Sequence, residues 1–122
     1  RDNSVGEGSM IDPRDWKWCG FPGHFIAARW CRFHLTTRVG NVLISTLGDY
    51  RPCSEKHERD TLGAASDSFY EVMVFPVIDN DVCYAGDPDT SNSLLQERFA
   101  TPEEAEKRHM ELCWLYAAKE EK

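Results

Sequence analysis

The run from Cys31 to Ile44 constrains the fold more than any other part of the chain. It is crowded with β-branched and aromatic residues, and Phe33, Leu35 and Thr37 alternate with His34, Thr36 and Arg38, the period of two that a half-buried strand requires. Gly40-Asn41 interrupts the run. Such a pair tolerates the positive φ of a tight turn, so Arg32–Val39 and Val42–Leu47 read as an antiparallel hairpin. Gly48, Pro52 and the residues between them end its second strand. Phe69–Phe75 reads as a third strand, closed by Pro76, which has no N–H to give to a ladder. Residues 53–68 are polar and small and read as a loop, with a short helical turn across Glu55–Asp60.

The C-terminal segment supplies a second layer. Thr101-Pro102-Glu103-Glu104 places an N-cap, a proline at the first helical position and a glutamate two residues later, the ingredients of a capping box. The spacing predicts a helix from Pro102 to about Ala118, with Ala105, His109, Leu112, Cys113 and Tyr116 on one stripe and Glu103, Glu106, Lys107 and Glu111 largely away from it. A sheet with an apolar face and a helix with one apolar stripe cover each other. The predicted fold class is therefore α+β: a small antiparallel sheet, the hairpin plus a third strand, with a C-terminal helix packed on one face. The 122 residues give room for one hydrophobic core, so residues 10–122 read as a single domain. Residues 1–9 are polar, hold Gly6 and Gly8, and stop before Met10; they read as tag-like or disordered. Asp12–Gly23, with Pro13, Trp16, Trp18, Phe21 and Pro22, reads as an ordered arm, too punctuated for a long element.

The net charge of -7 at pH 7 has the wrong sign for a protein that binds nucleic acid by neutralising phosphates. Aromatics interleave with Arg14, Lys17, Arg29 and Arg32 in a way that superficially suits stacking on a single strand, but the overall acidity opposes that use. Residues 61–96 hold Asp67, Glu71, Asp79, Asp81, Asp87 and Asp89 and no Lys or Arg. A one-signed stretch keeps a protein soluble; it also forms a face that docks on a basic partner, with Asp79, Asp81, Asp87 and Asp89 as the partner-binding residues, no direct contact with nucleic acid and a salt-sensitive association rate. Calcium is not expected there, since Tyr84 stands where an EF-hand loop needs glycine. No apolar stretch is long enough to cross a bilayer.

Five cysteines, Cys19, Cys31, Cys53, Cys83 and Cys113, cannot all pair within the chain. With no secretion signal and no Asn-x-Ser/Thr acceptor, the expectation is a reducing cytoplasm in which the thiols are buried small hydrophobes or metal ligands. Cys31 with His34 and His109 with Cys113 form two short pairs of the type tetrahedral zinc prefers. His109 and Cys113 share one side of a helix, whereas Cys31 and His34 point oppositely in a regular strand, so a joint zinc site needs an irregularity there. Core cysteines and a hydrogen-bonded histidine account for the same residues without metal, and Cys19 and His24 are alternative ligands. A hydrolase or transferase would use Cys31 or Cys113 as nucleophile, His24, His34 or His109 as base, and Asp49 to orient the imidazole; no motif for such a reaction accompanies them. Ser45, Thr46 and Asp49 line either a small polar pocket or a turn in which Asp49 bonds its own backbone.

Gly23-His24-Phe25, Cys31-Arg32-Phe33-His34-Leu35, Val39-Gly40, the segment from Ser45 to Tyr50, Met73-Val74-Phe75 and the His109-Met110…Cys113 pattern resemble a family of small proteins of no assigned activity encoded by tailed phages and prophages. The resemblance spans most of residues 10–118 and implies the cytoplasm of an infected bacterium as the setting. Members of that family carry additional cysteines where this chain keeps only Cys83, which weakens any metal site built on that region. By analogy with small phage accessory proteins, it implies a non-enzymatic protein that binds and inhibits a host macromolecule, such as a restriction or CRISPR effector, through its acidic segment.

Overall fold

The computed structural model describes residues 11–19, 30–51, 59–62, 67–77 and 92–119. They form five strands, β1 (Lys17–Cys19), β2 (Cys31–Val39), β3 (Val42–Tyr50), β4 (Tyr70–Pro76) and β5 (Leu95–Phe99), and one helix, α1 (Pro102–Lys119). All neighbouring strands are antiparallel, and the sheet runs β1-β2-β3-β4-β5. With α1 packed across it, the architecture is the α+β arrangement expected.

The hairpin forms at the predicted place. Val39 and Val42 are Cα partners, leaving Gly40-Asn41 as a two-residue loop, and Gly40 has φ 61°. Positive φ at the first loop position alone is the type II′ pattern, whose twist matches that of the flanking strands. The second strand runs past Leu47 to Tyr50, carried by Asp49 in the left-handed region at φ 54°. Burial along the hairpin is two-sided: Thr36 and Arg38, expected on an open face, are buried, as is every residue of β3 from Val42 to Gly48. The absence of charge between Val42 and Gly48 is the corresponding sequence signal.

Two strands were not foreseen. β1 falls within the expected arm, where Pro13 and the short run of three residues hide it. β5 contains Gln96, Glu97 and Arg98, poor strand formers by propensity, but its partner β4 is strongly apolar, and pairing rather than propensity makes it an edge strand. Of the expected loop 53–68, residue 60 bridges Tyr50, and the proposed helical turn lies largely outside the described residues.

The capping box closes as predicted. The Glu104 N–H donates to Thr101 Oγ1 at 3.2 Å, and the Thr101 N–H donates to Glu104 Oε1 at 3.3 Å. The predicted stripe faces the sheet: Ala105, His109, Leu112, Cys113 and Ala117 are buried and Tyr116 is half-buried against them. Burial of an aliphatic side chain such as Leu112 contributes about 1.5–3 kcal/mol. Arg108 donates from Nε and Nη2 to the two carboxylate oxygens of Glu97 on β5, at 2.8 and 3.2 Å. The Ile11 N–H donates to the Ala117 carbonyl at 3.1 Å, tying the N-terminal arm to the end of α1.

Gly48 sits between Phe33 and Tyr70 in register. The two rings meet edge to face above it, centroids 5.4 Å apart, and a Cβ at Gly48 would overlap the edge of the Tyr70 ring. Gly48→Ala should therefore destabilise the protein by about 1–3 kcal/mol through overpacking, read as a lower urea midpoint with an unchanged slope; an unchanged midpoint would refute this account of the glycine.

Candidate functional site

The chemically capable groups converge on α1. His109 and Cys113, four residues apart, lie one above the other on its inner face, and both are fully buried. Opposite them, Thr37 of β2 and Thr46 of β3 project toward the helix. The Thr37 hydroxyl is 2.8 Å from His109 Nε2 and the Thr46 hydroxyl 2.6 Å from Nδ1. A neutral imidazole has one donor and one acceptor nitrogen, and a threonine hydroxyl can play either part, so both nitrogens are satisfied without charge. Trp18 of β1 lies beside the ring, centroids 6.0 Å apart and planes tilted by 34°. Burial pushes His109 down to about 4, because charging the ring would remove it from water with no carboxylate alongside.

The same burial silences the thiol. Cys113 is pushed up to about 12 by desolvation, against a smaller opposing pull from the Thr37 hydroxyl. The thiolate, not the thiol, is the nucleophile, so this pair does not form the activated Cys/His couple that an enzyme would need. Cys31 is pushed up to about 11, first by burial and then by the Asp49 charge. It packs with Leu47, Tyr50 and Leu62 in a cluster separate from the one holding Cys113.

The four ligands expected for zinc, Cys31, His34, His109 and Cys113, are not brought together. Thr37 faces α1 and His34 is three residues away on the same strand, so the period of two turns His34 to the opposite side of the sheet from His109. The β2–β3 ladder skips Arg32 and Asp49, and Asp49 has a positive φ; this irregularity beside Cys31 does not bring His34 to the side of the sheet that holds His109. Among the described residues no three His, Cys, Asp or Glu side chains gather as a metal site. These residues do not fit zinc as one ligand set. His24, Cys53, Cys83 and the four partner-binding aspartates, Asp79, Asp81, Asp87 and Asp89, lie outside the described residues, as does the side chain of Cys19.

Ser45 and Thr46, adjacent on β3, point to opposite faces and do not line one pocket. Asp49 is occupied by arginines, Arg51 at 3.0 Å and Arg32 at 3.9 Å. On the sheet face away from α1, buried Glu71 accepts from Gln96 at 2.6 Å and from Arg98 at 3.0 Å.

The outer side of α1 has a different character. Glu103, Glu104, Glu106, Lys107 and Glu111 are exposed, and beyond them Trp114 and Leu115 remain 46% and 43% accessible. Trp114 stands edge-on to buried Trp16, ring centroids 5.1 Å apart. This acidic and aromatic face was missed in the sequence, although the signal was there: Trp114 and Leu115 fall off the stripe of residues 105, 109, 112, 113 and 116.

The ring environment of His109 sets a pH dependence. Its proton affinity is lower in the folded chain, about 4, than the ordinary 6.5, so the unfolded state binds more protons between these values. The stabilisation from neutral burial is complete above about pH 6.5 and is lost as pH falls toward 4. We expect a loss of roughly 2–3 kcal/mol across that window, measured by urea unfolding. His109→Gln, which retains one donor and one acceptor, should be less stable but flatter; an equal slope in both proteins would contradict the assignment.

Cys31 and Cys113 should resist iodoacetamide in the native protein by at least about 100-fold relative to the urea-unfolded chain, as followed by peptide mass mapping. Rapid modification of either would show that its thiol is not held as described. Comparison with protein-family models, with curated proteins and with solved structures finds no match to the chain, so its function rests on the chemistry of these residues.

Proposed function

We propose that the chain is a non-enzymatic accessory protein of the phage type that uses its acidic surface to bind and inhibit a host macromolecule with a basic surface, the partner class being a nucleic-acid-handling defence system such as a restriction or CRISPR effector. The observation that supports binding over catalysis is the division of chemistry across α1. Its inner face holds imidazole and thiol in their uncharged forms, whereas its outer face carries exposed carboxylates beside the accessible Trp114 and Leu115.

Carboxylates steer a basic partner from a distance, and a partly exposed aromatic supplies the contact that holds it. The net charge of -7 extends that steering to the whole molecule. Asp79, Asp81, Asp87 and Asp89 remain part of the proposed surface, and the phage setting rests on the resemblance of the short motifs.

The test is inhibition together with its salt dependence. Expression of the chain should restore phage plating on a host carrying the susceptible defence system, and the purified protein should capture a basic nucleic-acid-handling component whose association rate falls by about tenfold between about 50 and 500 mM salt. Glu103→Gln with Glu106→Gln, or Asp→Asn at 79, 81, 87 and 89, should slow association, and Leu115→Ser should speed dissociation. Undiminished capture by both charge variants would overturn the acidic-surface reading.

A further inference from the structure

The flank of α1 nearest β1 carries an aromatic seam built from two rows of side chains. Glu106, Met110 and Trp114 are spaced by four along the helix and form one row. Trp16 and Trp18, two apart on extended backbone, form the other. The rows meet at two points. Trp18 lies beside His109, the residue before Met110, with ring centroids 6.0 Å apart, and Trp16 stands edge-on to Trp114 at 5.1 Å. Trp16 is buried and Met110 half-buried, whereas Trp18 and Trp114 remain 54% and 46% accessible. Tryptophan is the residue type most concentrated in the energetic centres of binding surfaces, and here two indoles stay open on one flank.

The helix contributes charge of one sign to this flank. Glu106 precedes His109 by three residues and so lies one turn from the ring that Trp18 accompanies, with Glu103 a turn further on. Both are exposed, and neither is paired with another side chain among the described residues. The cations of α1 belong to its other flank: Arg108 is bonded to Glu97 of β5, and Lys107 lines a cavity with Phe99, Glu104, Arg108 and Glu111. Lys17, between the two tryptophans in sequence, projects from the opposite side of β1, and Arg14 is held by Asp12 at 2.7 Å.

An indole face attracts a cation more strongly than any other aromatic side chain does, and a carboxylate nearby adds an ion pair. A guanidinium uses both groups at once, because its plane stacks on the indole while two parallel N–H bonds reach the carboxylate; an ammonium has no such plane. A nucleic-acid base would also stack on these rings, but its phosphates would meet Glu103 and Glu106.

We propose that this seam binds an arginine side chain of the partner, an inference that rests on the reading of the chain as a binder of basic surfaces and gives that reading its central contact. The guanidinium stacks on Trp18 and pairs with Glu106, and the aliphatic stem lies along Met110 toward Trp114.

The experiment is a titration of the full chain with the peptide acetyl-Gly-Arg-Gly-Arg-Gly amide and, separately, with its lysine counterpart, at constant ionic strength. The indole N–H resonances of Trp18 and Trp114, identified by their loss in Trp18→Phe and Trp114→Phe, and the Met110 methyl are followed by NMR. The arginine peptide should shift them saturably with Kd on the order of 1 mM or below and bind at least about fivefold tighter than the lysine peptide. Trp18→Ala should weaken binding about tenfold and Glu106→Gln about three- to fivefold, whereas Asp67→Asn, an equal loss of charge at an exposed position before β4, should change it by less than about twofold. If Trp18→Ala fails to fold, the contrast between Glu106→Gln and Asp67→Asn decides, because both side chains are exposed. Absence of a saturable shift up to about 20 mM of the arginine peptide, or equal weakening by Glu106→Gln and Asp67→Asn, would overturn the site. Equal affinity for the two peptides would overturn the arginine assignment. Peptide binding without capture of any basic host component would leave the seam standing and sink the inhibitor reading; capture undiminished by Trp18→Ala would do the reverse.

Discussion

The placement of His109 between two threonine hydroxyls is the interaction on which the layered structure depends. Both ring nitrogens are buried, and each has a hydroxyl within 2.8 Å. A helix resting on a sheet by apolar contact alone can rotate or slide at modest expense, because apolar packing is non-directional. Two hydrogen bonds from one ring to neighbouring strands remove that freedom: rotating α1 by one residue would leave two buried nitrogens and two buried hydroxyls without partners, each costing about 1–3 kcal/mol. The ring therefore sets which helix face meets β2 and β3, and with it the positions of Cys113 inside and Trp114 outside.

The sheet divides its chemistry with the same economy. Strand alternation sends Phe33, Thr37 and Val39 toward α1 and His34, Thr36 and Arg38 away from it. In register across β3 and β4, the second set continues through Leu47 and Ser45 to Glu71 and Met73. The two sides share a backbone, so His34, three residues along β2 from the Thr37 that bonds His109, belongs to a different environment from His109. His109 is satisfied by threonines, whereas His34 keeps a buried Nδ1 with no partner.

Charge follows burial. The groups that carry nucleophilic or acid-base chemistry in other proteins are here driven toward their uncharged forms by desolvation, Cys31 to about 11, Cys113 to about 12 and His109 to about 4. The groups left charged at the surface are mainly carboxylates on α1, interrupted by arginines that hold elements together, as Arg108 holds β5 and Arg51 holds the strained residue Asp49.

Local signals in the sequence determined the hairpin at Gly40-Asn41, the strand before Pro76, the capping box at Thr101 and the buried stripe of α1, because each depends on residues within one turn or one strand. They also placed His109 beside Cys113, since helical spacing is itself local. Tertiary structure alone decided the rest. β5 became a strand because β4 offered it a partner, and β1 because β2 did. Likewise, the side of the sheet that α1 covers separated His34 from His109, set Thr37 and Thr46 against the buried ring, and brought Lys17 opposite Arg38. Sequence spacing carries no information about which distant chain segment lies across a sheet; that depends on how the apolar faces close over one another, a property of the whole core rather than of any segment.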